Sequence, residues 1–134
     1  MNQDLHLAKS ILAAENCTCV LSRGTEVYKS HRRGVAPLMG WLEEGLDLEG
    51  FSAADKVVGK ATAFLYCLLR VKEVYALVMS QAAANVLEQQ GISFQQLTGD
   101  LFLDHRPLQK RIREFSAAQT FLICLLIQHR LLAY

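Results

Sequence analysis

The chain has 134 residues, 51% of them hydrophobic and 20% charged, with a formal net charge of +1. That balance is the composition of one ordinary globular domain, residues 1–134, and excludes a disordered chain, a broad nucleic-acid-binding surface and an acidic-membrane-binding surface. The polar opening Met1-Asn2-Gln3-Asp4 carries no export signal, so Cys17, Cys19, Cys67 and Cys124 are expected as reduced thiols in a cytoplasm, and the apolar runs are too short to cross a bilayer.

Taken in order, Leu5, Leu7, Ala8, Ile11 and Leu12 fall largely on one face at helical spacing behind Asp4, which reads as an N-cap; this helix should end near Glu15-Asn16. Cys17 to Ser22 and Thr25 to Lys29 alternate as two strands around a turn at Arg23-Gly24, which is a hairpin. The basic loop Ser30-His31-Arg32-Arg33-Gly34 follows. A short helix is expected over 35–44, with Pro37 in its first turn and Gly45 as its stop.

The spacing of Val57, Ala61, Phe64, Leu65 and Leu68 predicts a long central helix, with Ser52 as N-cap and Asp55 completing a capping pattern. Val74 to Met79 is apolar at every position, the pattern of an internal parallel strand. Ser80 should cap a helix that stops at Gly91, with an outer strand over 92–97. Leu101-Phe102-Leu103 reads as a further short strand, and the text from Pro107 onward as a helical tail. The resulting order α-β-β-α-α-β-α-β predicts an α/β domain, a mixed sheet sandwiched by helices, with a site beyond the carboxyl ends of the parallel strands.

Thr18-Cys19-Val20, Arg33-Gly34-Val35-Ala36-Pro37-Leu38, Asp47-Leu48-Glu49-Gly50 and, above all, Ala54-Asp55-Lys56-Val57-Val58-Gly59-Lys60-Ala61 form a distinctive set of segments, which Val71 to Ala76 and Ser80 continue. Together they resemble a family of small, uncharacterised bacterial proteins with a cytidine-deaminase-like fold. The resemblance implies a three-layer α/β/α sandwich with a mixed, five-stranded sheet. It does not imply a deaminase. Zinc deaminases need His-x-Glu or Cys-x-Glu and Pro-Cys-x-x-Cys. The histidines here continue as His6-Leu-Ala, His31-Arg-Arg, His105-Arg-Pro and His129-Arg-Leu, and Cys17-x-Cys19 has the wrong spacing, although its two side chains are expected on one face of a strand. No metal and no cofactor is expected. The family continues into a glycine-rich turn and Cys-Pro-Met-Glu, whereas this chain reads Asp104-His105-Arg106-Pro107, so the tail over 106–134 is divergent.

The candidate site is an anion or phosphate site. Lys56 and Lys60 are placed four apart on one helix face, Asp55 and Gly59 on the adjacent one, and Arg33 and Ser80 are placed near them. The blander account is a solvated helix edge capped by Asp55. Cys19 is a weak candidate nucleophile, more often a small core residue. The expected function is binding of a small anionic or nucleotide-like ligand. The alternative is a non-catalytic interaction or scaffold protein, homodimeric through the stripe Leu122, Leu125, Leu126, His129 and Leu132.

Overall fold

The structure, a computed structural model, describes residues 3–97. The elements are α1 (Gln3–Ala14), β1 (Cys19–Arg23), β2 (Glu26–Ser30), α2 (Ala36–Glu43), β3 (Ser52–Val58), α3 (Lys60–Leu69), β4 (Glu73–Met79), α4 (Gln81–Gln89) and β5 (Ser93–Gln96). Among the described residues the strands form one five-stranded sheet in the order β2-β1-β3-β4-β5. β1 is antiparallel to both β2 and β3, whereas β3, β4 and β5 run parallel. The α/β class with a mixed sheet therefore holds. The expected strand at 101–103, the helical tail and its leucine stripe lie outside the described residues.

Helices cover both faces of the sheet. Leu5, Ala8 and Leu12 of α1 pack on Val20, Ala54 and Tyr75 on one face. On the other, Leu38 and Trp41 of α2, Leu65 and Tyr66 of α3 and Ala83 and Leu87 of α4 enclose Leu21, Ala53, Val74 and Ala76. Alternation along the strands sorts these residues between the layers. Cys17, which precedes β1, packs with the α1 layer and Cys19 with the opposite one, so the two thiols do not share a face.

The hairpin forms as expected, with Arg23 paired to Glu26 across Gly24, whose positive φ of 60° suits a glycine in a two-residue turn. α2 begins with Pro37 in its first turn, α4 starts behind Ser80, and β4 lies between two parallel neighbours. Asp4 is not an N-cap: it lies inside the first turn of α1, where its Oδ1 accepts a hydrogen bond from the Gly24 amide at 3.0 Å.

The largest correction falls on residues 52–70. They are not one helix. Ser52 to Val58 is a seven-residue strand, and the helix starts only at Lys60. Ser52 is a fully buried strand residue, not a cap, and Asp55 lies mid-strand. Local propensity favours helix across Ala53-Ala54-Asp55-Lys56, but β1 and β4 flank the segment and supply backbone partners on both sides, which a helix would forfeit. Small alanines also let two helix layers approach the centre of the sheet.

Candidate functional site

β3 and β4 end side by side. The Ser80 amide donates to the Val58 carbonyl at 3.1 Å, so the turns that launch α3 and α4 are adjacent. At the start of α4, Ser80 Oγ accepts from the Ala83 amide at 3.1 Å, which is the expected cap. The start of α3 is different. Its N-cap is Gly59, which has no side chain to accept a hydrogen bond, and its first closed turn is the Ala63 amide to the Gly59 carbonyl at 2.9 Å. The amides of Lys60, Ala61 and Thr62 precede that turn and have no intrahelical acceptor. No acidic residue stands in the first turn of either helix. Lys60 itself is exposed, its Nζ 6.0 Å from the Phe64 ring centroid, the outer limit of a cation–π contact. A cation there opposes the helix dipole, so this end of α3 carries uncompensated positive potential.

Lys56 and Lys60 do not share a helix face, because one is on a strand and the other on the helix after it. Lys56 Nζ donates to Asn16 Oδ1 at 2.8 Å, at the loop between α1 and β1, and the Lys56 amide donates to the Thr18 carbonyl at 3.0 Å. Arg33 is exposed in the turn after β2, where its carbonyl accepts from the Ala36 amide at 3.2 Å. β2 and β3 run in the same direction with β1 between them, so Arg33 leaves the same edge of the sheet but about 10 Å to one side of β3. In the same loop His31 Nε2 lies 4.0 Å from Cys17 Sγ. Lys60 and Ser80 are thus brought together at the edge; Lys56 and Arg33 flank them.

Asp55 belongs to another constellation. It is 5% exposed, paired across the sheet with Cys19, and covered by α3. The Tyr66 hydroxyl donates to Asp55 Oδ2 at 2.6 Å, the Val57 amide donates to Oδ1 at 3.3 Å, and Cys19 Sγ lies 3.3 Å from Tyr66 Oη. Burial pushes the Asp55 carboxyl up to about 7, although the Tyr66 phenol and nearby backbone amides favour its charged form. Burial, reinforced by the charge of Asp55, raises both the Cys19 thiol and the Tyr66 phenol well above their ordinary values. Cys19 is therefore held as a thiol, opposite to what a nucleophile requires. Sequence reasoning missed Tyr66. The signal was available: a tyrosine inside an apolar helical stripe must bury its hydroxyl and find it a partner.

The family described as Domain of unknown function (DUF1893) matches residues 7–97. The chain belongs to this family. A DUF1893 family protein, TM1506 from Thermotoga maritima, has a similar structure with a TM-score of 0.65 at 24% identity, over 88% of this chain and 92% of that one. The dCMP deaminase from the cyanophage S-TIM5, in apo form, has a TM-score of 0.49 at 12% identity, over 72% of this chain and 100% of that one. No curated protein matches the chain significantly.

In this DUF1893 domain, no three His, Cys, Asp or Glu side chains come together as metal ligands among the described residues. No helix among them is long and apolar enough to cross a membrane. The edge of β3 and β4 offers backbone donors and a lysine, a chemistry suited to an anion.

Proposed function

We propose that this domain binds a small anionic ligand, phosphate-bearing and nucleotide-like, at the carboxyl edge of β3 and β4. The observation that carries the reading is the start of α3: a glycine N-cap without a side-chain acceptor, leading amides that have no backbone acceptor among the described residues, and an exposed Lys60 beside the Ser80 turn. An anion placed there accepts the orphan amides and neutralises both the lysine and the helix end. Arg33 and Lys56 extend the positive rim, where they would meet a ligand larger than phosphate alone. The role is binding without covalent chemistry, because the thiol of Cys19 and the carboxyl of Asp55 are enclosed beneath α3.

Thermal-shift titration of the full chain with inorganic phosphate, a sugar phosphate and a nucleoside monophosphate tests the reading. At least one of these is expected to raise Tm in the wild type and to lose most of that effect in Lys60→Ala. Equal shifts in the two proteins, or none in either, would remove the site from consideration.

A further inference from the structure

The edge site makes no use of the buried chain Cys19–Tyr66–Asp55, which is the side-chain hydrogen bonding between α3 and the sheet among the described residues. We propose that this chain is a proton-linked latch: neutral Asp55 holds α3 closed on the sheet, and loss of its proton admits water beneath the helix and loosens it.

The geometry supports two proton arrangements. With Asp55 ionised, the Cys19 thiol donates to Tyr66 Oη and the Tyr66 hydroxyl donates to Asp55 Oδ2. With one more proton, the run reverses: the Asp55 carboxyl donates to Tyr66 Oη, and the Tyr66 hydroxyl to Cys19 Sγ. The three groups can satisfy one another in both states, so the choice between them falls to solvation. The groups facing Asp55 are the Cys19 thiol from β1, the Tyr66 phenol from α3 and the backbone amides of Lys56 and Val57, while β4 contributes Ala76. Among the described residues no cation is bonded to the carboxyl, and Lys56 Nζ is bonded to Asn16 instead. An ionised carboxylate there is buried without a counter-charge, which favours any opening that hydrates it. The carboxyl titrates near 7, so the two states exchange within the neutral range. α3 is the element that moves, because it carries the tyrosine and joins β3 through Gly59 alone.

Native-state hydrogen exchange of the full chain at pH 6 and pH 8, corrected for intrinsic rates, tests the latch. Opening of α3 amides is expected to rise by roughly tenfold between these pH values in the wild type, as one proton is lost from the closed form only. In Asp55→Asn, which cannot ionise, the rise should be absent; an equal rise in that variant overturns the proposal. Should Asp55→Asn fail to fold, Tyr66→Phe decides. It removes a donor that favours the charged carboxyl, so the Asp55 midpoint, followed by NMR of the carboxyl carbon, should move upward. A midpoint in the ordinary carboxylate range in the wild type, or one unmoved in Tyr66→Phe, overturns it equally.

Discussion

The Ser80 amide donates to the Val58 carbonyl at 3.1 Å, and this bond joins the turn that starts α3 to the turn that starts α4. Two helix ends therefore meet at one edge of the sheet, one capped by a side chain and the other not. Ser80→Ala should remove the hydroxyl that accepts from Ala83 and cost about 1 kcal/mol, read as a lower urea midpoint. Ser80→Asp should retain most of the stability, since its carboxylate caps equally well.

Lys60 carries the opposite expectation. A positive charge on the first residue of α3 opposes the helix dipole, so Lys60→Glu should stabilise the ligand-free domain by about 0.3–1 kcal/mol. The same variant should lose any Tm increase caused by phosphate. Gain of stability with loss of ligand response would mark a residue kept for binding.

The Asp55 carboxyl makes stability depend on pH in an unusual direction. Its pKa is raised from 3.8 to about 7 in the fold, so the folded state holds a proton that the unfolded chain has released. That contribution is complete below 3.8 and is lost as pH rises through 7. Thermal melts from pH 5.5 to 8.5 should show falling stability for the wild type and a flatter profile for Asp55→Asn. Tyr66→Phe should cost more at pH 8 than at pH 6, on the order of 1.5–3 kcal/mol at the higher value, where the lost bond is to a charged acceptor.

Ser22 and Ser52 face each other in register across β1 and β3, both fully buried and, among the described residues, neither hydroxyl bonded to a protein group. An unpartnered buried hydroxyl is unfavourable, so Ser22→Ala and Ser52→Ala should each leave stability unchanged or raise it by up to about 1 kcal/mol in urea melts. A loss above about 1 kcal/mol would mean that an ordered water satisfies the pair.

Much of the architecture was legible because its signals are local. Gly24 between alternating residues specifies the hairpin, Pro37 and Gly45 bound α2, Ser80 and Gly91 bound α4, and the unbroken apolar run over 74–79 marks a strand covered on both faces. Ser80 was also legible as the cap of a segment with helical spacing, whereas Lys60 was legible as a candidate cation but was placed inside a helix starting at Ser52, not at the start of α3. Lys56 was misplaced with the helix, and the link between Asp55 and Tyr66 was invisible, because eleven positions separate residues on different elements.

The opening of α3 divides the two kinds of information. By itself the sequence determined that residues 50–80 are the core of an α/β domain and that the Asp55–Lys60 motif interrupts it with charge. Helical periodicity extends through Val57 into the strand, and alanine favours helix, so local spacing did not place the start of the helix at Lys60. Tertiary structure decided that: β1 and β4 offer Ser52–Val58 a complete set of backbone partners. Once this segment is a strand, its two faces send neighbouring residues apart, Asp55 beneath α3 to Tyr66 and Lys56 to Asn16. Alternation across a pleated sheet, which no pair of adjacent letters specifies alone, separates the buried carboxyl from the cations of the edge.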